Sequence, residues 1–196
     1  DGHGKVGEQV SQYVIDTLPE VLETHPSIFK DPHKVPPAKP FARRGATPSP
    51  SLPPCPQALK EGFVDVDTTL AAKVDASVSG TTAVGVLIRG DTLYVGNAGD
   101  SRAIIGRSAP NGGLKAHDLS KDHKPDSPAE MKRILTMGGH VTPAGANGSP
   151  SRVWHNLRGL AMARSIGDHN AATVGVIAEP EITEYNLRED DEVLII

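Results

Sequence analysis

The first four residues, Asp1-Gly2-His3-Gly4, combine groups that could hold a metal ion and move a proton. A carboxylate, a backbone carbonyl and an imidazole lie within three positions, and the two glycines let the chain turn tightly around a ligand. Carboxylate and carbonyl oxygens are hard donors, which favour Mg²⁺ or Mn²⁺. The single cysteine and the absence of a His-x-x-x-His spacing argue against structural zinc. A simple glycine turn remains the alternative for so short a segment.

A second candidate is Asp100, which stands in a glycine-flanked loop at the end of a predicted strand. Functional residues often occupy such loops, although an aspartate that caps its own hairpin turn has the same local sequence. The same two interpretations are open for Asp168, where we favour a structural role. The remaining histidines in polar sequence are expected to be solvated: His123, His155 and His169.

Two amphipathic helices are predicted on either side of a proline-rich segment. Apolar residues recur every four positions over 5–17, and Pro19 is expected to kink or restart this first helix. Nine of the 17 prolines fall within 31–56, which we interpret as an exposed, disordered insertion. We expect Cys55 in it to be an ordinary free thiol, and Arg43-Arg44 to be either a docking patch or a solvated pair. The second helix carries one apolar stripe of Leu59, Phe63, Val66 and Leu70.

Strands are predicted through the middle and at the end of the chain. The β-prone runs 81–89 and 92–97 flank Gly90-Asp91, which favours a type II′ hairpin. A third strand is predicted at 102–106. Two further strands, 182–187 and 192–196, are expected to be joined by the acidic turn 188–191.

A third helix is indicated by Ser127-Pro128-Ala129-Glu130, which combines an N-cap serine, a first-turn proline and a capping-box glutamate. Gly138-Gly139 is expected to end this helix. Hairpin-linked strands with separate helices predict an α+β fold, in which helices pack outside antiparallel sheets.

Composition excludes several classes of function. The chain has 196 residues, 37% of them hydrophobic, which is enough for the core of one domain. Its net charge of −4 gives no basic field to attract nucleic acid. No apolar run approaches the ~18 residues of a membrane-spanning helix. One cysteine fits a reducing compartment, so we expect an intracellular monomer, cytoplasmic or nuclear.

Six segments, in their order along the chain, resemble motifs of the metal-dependent protein phosphatase family, the type 2C serine/threonine phosphatases. The resemblance extends over nearly the whole chain outside the proline-rich insertion. It implies two stacked antiparallel sheets flanked by helices, incomplete at both ends, with 1–196 as a partial catalytic domain. The six segments are Asp1-Gly2-His3-Gly4, Ser79-Gly80-Thr81-Thr82-Ala83, Asn97-Ala98-Gly99-Asp100-Ser101-Arg102, Asp122-His123-Lys124-Pro125, Gly138-Gly139-His140-Val141 and Leu160-Ala161-Met162-Ala163-Arg164-Ser165-Ile166-Gly167-Asp168.

The resemblance also implies roles for matched residues. The Asp1 carboxylate would bridge two core Mg²⁺ or Mn²⁺ ions, the Gly2 carbonyl would bind one of them, and Asp100 would help to hold a weaker third ion. His3 would be the general acid. The reaction implied is hydrolysis of phosphoserine or phosphothreonine in phosphoprotein substrates, by a water bridged between the two cations. A flap-like segment, about 122–142, would lie beside the metal cleft and contribute to substrate choice.

The family also has ligands that this sequence does not contain. An arginine and an acidic ligand precede the Asp-Gly-His-Gly motif in relatives, and two aspartates follow the region matched by Ile196. We therefore expect these 196 residues alone to bind metal poorly and to have little turnover. Two alternatives to an enzyme of this family are open: a non-catalytic relative that binds phosphoproteins or acts as a scaffold, and an unrelated metal-dependent hydrolase with a similar turn.

Overall fold

The computed structural model of the protein describes residues 1–26, 28 and 55–196. This part of the chain contains four helices and twelve strands. The helices are α1 (Gly7–Thr24), α2 (Cys55–Leu70), α3 (Pro128–Thr136) and α4 (His169–Ala172). The strands are β1 (Gly2–His3), β2 (Gly80–Thr81), β3 (Ala83–Arg89), β4 (Thr92–Ala98), β5 (Ile104–Ser108), β6 (Leu114–Asp118), β7 (His140–Thr142), β8 (Arg152–His155), β9 (Arg158–Leu160), β10 (Ile166–Gly167), β11 (Glu181–Asn186) and β12 (Asp191–Ile195).

Two three-stranded antiparallel sheets, with strand orders β11-β4-β3 and β12-β5-β6, stack on each other. Successive side chains of a strand point to opposite faces, and β4 uses both of its faces. Leu93 and Val95 pack with Ile105 in the core between the two sheets. Tyr94 and Ala98 pack on the other side, in the core beneath the helices.

The helical layer covers the outer face of the first sheet. The buried stripe of α1 consists of Val10, Val14 and Leu18, and the buried stripe of α2 contains the predicted Leu59, Phe63, Val66 and Leu70. The order of layers is therefore helices, sheet, sheet, and the predicted α+β sandwich is confirmed. No helix in the described ranges is long and apolar enough to cross a membrane.

The first two helices, α1 and α2, each differ from the sequence prediction at one end. α1 continues through Pro19 to Thr24 as a single helix, so the predicted restart is wrong. Pro19 is exposed, so water can bond to the carbonyl that its missing N–H leaves unpaired. Cys55 is not in a linker: it is the first residue of α2 and is buried. The rest of the predicted insertion, with Arg43-Arg44, lies outside the described residues.

The predicted hairpin is confirmed. Strands β3 and β4 pair with Arg89 opposite Thr92, and Gly90 has a φ of 57°, as the first turn residue of a type II′ hairpin requires. The third strand begins two residues later than expected, at Ile104. Its partner β6 was not predicted, because it is a mostly exposed strand without an alternating apolar pattern.

The glutamate of α3 has a different role from the one predicted. The Glu130 carboxylate does not cap the helix: it lies buried between Arg133 and Arg164, with a shortest N–O distance of 2.7 Å to each. Burial opposes ionisation of Glu130, but hydrogen bonds from the two arginines outweigh it and lower the pKa to about 2. Because Arg164 immediately precedes the segment leading to β10, this ion-pair cluster ties α3 to the sheet region.

The Glu130→Gln variant is expected to lose roughly 3 kcal/mol of unfolding free energy at neutral pH, since it leaves two arginines without their shared carboxylate. The folded-state pKa of Glu130 is depressed, so its contribution is present above the unfolded value near 4.5 and declines as pH falls towards about 2. Urea unfolding should therefore show a large difference between wild type and variant at pH 7, and a difference roughly half as large at pH 3, where only the unfolded carboxyl is protonated. The matched control is Glu189→Gln at an exposed position, and an equal loss in that variant would contradict the assignment.

Candidate active site

The first residues of the chain are positioned by a small antiparallel sheet of order β1-β2-β10. β2 is its central strand, with Gly2 and Ile166 on either side of Thr81, and His3 and Gly167 on either side of Gly80. Gly80 is therefore opposite both His3 and the residue that precedes Asp168. This register brings together His3 and Asp168, which belong to two different motifs and are 165 positions apart in the sequence.

His3 and Asp168 form a direct pair at this sheet. The distance from His3 Nε2 to Asp168 Oδ2 is 2.7 Å, and Ser165 Oγ donates to the same carboxylate oxygen at 2.7 Å. Asp168 is only 4% exposed. A Cβ at Gly80 would lie 2.2 Å from Asp168 Oδ2, so only glycine permits this approach. The turn also requires Asp168 itself to adopt the left-handed conformation, with φ 48°.

The partner of Nε2 assigns the tautomer of His3. A carboxylate only accepts hydrogen bonds, so Nε2 carries the hydrogen that points to Asp168. His3 Nδ1 is buried and has no hydrogen-bond partner within the described ranges. The imidazole is thus held by one nitrogen and keeps the other for a further partner.

Asp1 is anchored to Thr82, the residue between β2 and β3. Its backbone nitrogen donates to Thr82 Oγ1 at 3.0 Å, and Thr82 Oγ1 lies 2.7 Å from Ser101 Oγ, next to Asp100. Asp1, Thr82 and Ser101 line an open cleft of about 910 Å³ between α1 and β3. His3 instead lines a neighbouring cleft of about 320 Å³. The structure therefore connects Asp1 with the Asp100 loop, and places His3 on a separate wall of the site.

Gly2 and Gly7 explain how β1 lies against the start of α1. A Cβ at Gly2 would be 2.2 Å from the carbonyl oxygen of Gly7, and a Cβ at Gly7 would be 2.7 Å from the carbonyl carbon of Gly2. The backbone that carries the predicted metal-binding carbonyl thus packs directly on the helix. No side chain is compatible with that contact at either position.

The donor chemistry of Asp1, Gly2 and Asp100 fits Mg²⁺ or Mn²⁺, because all three offer hard oxygen atoms. Asp1 is exposed, so its carboxylate is open to an ion. In residues 1–26, 28 and 55–196, however, no three His, Cys, Asp or Glu side chains form a group that could hold a metal. Asp100 Oδ2 is 2.5 Å from Lys124 Nζ. The three residues would supply only part of a coordination shell, and water or further ligands would have to complete it.

The prediction that His123 is solvated is wrong. His123 is 2% exposed, and its Nδ1 accepts a hydrogen bond from the Gly99 backbone at 3.2 Å. Burial, and secondarily the charge of Arg164, lower the pKa of His123 below its ordinary value. His155 and His169 are half-buried rather than fully solvated. His123 is thus a buried residue that supports the loop preceding Asp100 through its hydrogen bond with Gly99.

The sequence interpretation missed two residues of this site, Asp168 and Lys124. Asp168 was given a structural role, because nothing local distinguishes a turn aspartate from one that reaches a distant histidine. The available signal was its position at the end of a matched motif, with a glycine before it. Lys124 pairs with a predicted ligand across 24 positions, a contact without any periodic pattern.

The two stacked sheets, with the small sheet that carries Gly2 and His3 beside α1, define a two-sheet α+β fold. The fold is similar to a solved serine-threonine phosphatase 2C from Toxoplasma gondii, with a TM-score of 0.78 at 23% identity, covering 99% of this chain and 64% of that chain. A family model described as protein phosphatase 2C matches residues 2–196. The chain belongs to the protein phosphatase 2C family.

Curated relatives are similar along the whole chain. Probable protein phosphatase 2C 72 of Arabidopsis thaliana is 34% identical over 200 residues, which cover 100% of this chain and 57% of that protein. Probable protein phosphatase 2C 64 of Oryza sativa subsp. japonica is 37% identical, with 100% of this chain and 43% of that protein covered. The chain thus spans about half the length of the relatives it matches.

Proposed function

We propose that the protein hydrolyses phosphoserine and phosphothreonine in proteins with the help of divalent cations. The observation that carries the proposal is the pairing of His3 with Asp168 at 2.7 Å, two positions from the exposed carboxylate of Asp1. Membership of the protein phosphatase 2C family supports it. Cleavage of a phosphate monoester is accelerated by a proton donor for the leaving oxygen and by metal ions held on hard oxygen ligands.

Asp1, Gly2 and Asp100 are the residues that would hold the cations, with Asp1 shared between two core ions and Asp100 at a weaker third. When bound, two such ions supply an activated water and neutralise the charge of the phosphate. The chain fixes Asp1 through Thr82. The Gly2–Gly7 packing fixes the carbonyl of Gly2.

The serine or threonine that leaves is a strongly basic alkoxide, so a proton donor is worth ~10²–10⁴ in rate. His3 is that donor in the proposal. Asp168 is its positioning residue: it binds Nε2, sets the tautomer and prevents rotation of the ring. Ser165 holds the carboxylate of Asp168 from the other side. In the protonated ring both nitrogens carry a hydrogen: Nε2–H stays on Asp168, and Nδ1–H, which has no other partner in the described part of the chain, is the proton that would pass to the leaving oxygen.

The segment 122–142 is proposed to act as the flap beside this site. It contains Lys124, which contacts Asp100, and α3, which the Glu130 cluster ties to Arg164. Both contacts support a segment that moves little relative to the catalytic strands. Substrate choice would then depend on side chains that line the clefts rather than on a mobile lid.

The test of the proposed function is phosphate release by the full-length protein from a phosphothreonine peptide. We expect release with Mn²⁺ or Mg²⁺, none after EDTA, and recovery when Mn²⁺ is restored. A phosphotyrosine peptide of the same sequence is the control for substrate class and should react more slowly. Release that persists undiminished in EDTA would contradict the proposal.

A further inference from the structure

The cleft beside His3 has a wall that the proposed chemistry does not use. This cleft of about 320 Å³ is bounded on one side by His3 and Asp168 and on the other by the hairpin of β8 and β9. His155 and Arg158 both line it, and they are directly opposite each other in the strand register. The imidazole of His155 and the guanidinium of Arg158 therefore line the same cleft as the proposed proton donor.

The hairpin presents these two residues on a rigid base. Only Asn156 and Leu157 connect His155 to Arg158, and Asn156 takes the left-handed conformation with φ 54°, which asparagine tolerates. Lower down, Trp154 Nε1 donates to Thr142 Oγ1 at 2.8 Å. Arg158 therefore belongs to a paired strand, and its backbone position is fixed by the sheet.

Arg158 differs from most other arginines in the described ranges, because it has no hydrogen-bond acceptor or acidic partner there. Six others donate to a carboxylate or a carbonyl: Arg89, Arg102, Arg107, Arg133, Arg152 and Arg164. An exposed guanidinium at the edge of a cleft, with its donors unused, matches the planar geometry of a carboxylate. This is the chemistry of a binding group rather than of a structural one.

The position of the substrate peptide follows from the proposed function, on which this inference rests. The oxygen that receives the proton belongs to the serine or threonine side chain, so the peptide that bears it must pass beside His3. The cleft lined by His155 and Arg158 adjoins His3 on that side. Residues adjacent in sequence to the phosphorylated residue would then contact the hairpin.

We infer that Arg158, assisted by His155, binds an acidic side chain next to the phosphorylated residue and so gives the protein a preference for acidic phosphosites. Arg158 would supply a two-pronged contact to the carboxylate, and His155 would add a second donor. Leu157, at the tip between them, is 95% exposed and offers an apolar contact to the next peptide residue. Arg158 is exposed, so added salt should weaken the preference.

The test compares pairs of phosphothreonine peptides that differ only in having Glu or Lys at one neighbouring position, scanned over the residues on each side. For the full-length wild type we expect kcat/KM to be about tenfold higher for the Glu peptide at one or two positions, the size of one charge-assisted contact. Arg158→Gln should remove most of the difference. Arg158→Glu should reverse it in favour of the Lys peptide, a change of sign that loss of folding cannot produce.

Arg188→Gln is the matched control, since Arg188 is exposed and lies in the turn between β11 and β12, away from the hairpin. This variant should keep the wild-type ratio. If the wild type releases phosphate from neither peptide, the proposed phosphatase activity fails. If it releases phosphate from both without preference, or if Arg158→Glu retains the wild-type ratio, the inference about the hairpin is overturned and the activity stands.

Discussion

Asp1→Asn is expected to abolish metal-dependent phosphate release by the full-length protein, with a loss of ~10³-fold or more. Asparagine has nearly the same shape as aspartate, but it cannot supply a negative carboxylate to two cations, and such ions contribute several kcal/mol of transition-state stabilisation. The hydrogen bond from the Thr82 N–H to the Asp1 carbonyl should survive, because it does not use the Asp1 side chain. Thermal unfolding without metal should therefore be unchanged, whereas the stabilisation by Mn²⁺ that we expect for wild type should disappear.

Asp91→Asn provides the control for this experiment. Asp91 is an exposed residue of the β3–β4 turn, so the same chemical change there should affect neither Mn²⁺ stabilisation nor activity. An Asp1→Asn enzyme that keeps full activity and wild-type Mn²⁺ affinity would show that the carboxylate is not a ligand. The simple glycine turn would then be the better interpretation of the first four residues.

His3→Ala and Asp168→Asn are expected to impair the same step. His3→Ala should slow release from a phosphothreonine peptide by ~10²–10⁴-fold, the usual contribution of a general acid. Asp168→Asn should cost less, roughly 10–10²-fold, because the imidazole remains but loses its anionic anchor. Both should act far more weakly on p-nitrophenyl phosphate, whose leaving group scarcely needs protonation. This difference between substrates separates a defect in proton donation from a general loss of structure.

The double variant decides whether the two residues work as a unit. If Asp168 acts only through His3, the His3→Ala/Asp168→Asn enzyme should be no slower than His3→Ala alone. Ser165→Ala is the companion control, because Ser165 contacts the same carboxylate without touching His3, and it should have a smaller effect. Fully additive losses, or equal losses on p-nitrophenyl phosphate, would mean that Asp168 has only a structural role.

Local patterns predicted most of the secondary structure. The stripe of α2 and the turn at Gly90 depend on neighbouring residues, and both were found where expected. The end of α1 was not found where expected. The sequence rule for proline assumes that the hydrogen bond its missing N–H cannot make destabilises the helix. Pro19 is exposed, so water can take the place of that hydrogen bond. The sandwich itself was predicted from the resemblance to a family. Its physical reason is that β4 buries one face against the second sheet and the other face against the helices.

The contacts that make the site depend on distant partners, and sequence has little information on those. Glu130 fits a capping box over four residues, yet its carboxylate binds Arg133 and Arg164, and these two arginines lower its pKa to about 2. His123 looked solvated because its neighbours are polar, but its backbone and ring both bond to Gly99. The His3–Asp168 pair depends on strand register around Gly80, which no single motif contains.

The Glu130 cluster has a mechanical consequence for regulation. Arg164 joins the carboxylate of α3 to the chain that continues, four residues later, into Asp168. Any ligand or modification that moves α3 away from the sheets must either break these ion pairs or displace Asp168 together with the helix. Displacement of α3 would then also displace Asp168 and misalign His3. An inhibitor that binds at α3 could therefore reduce the proposed activity without entering either cleft.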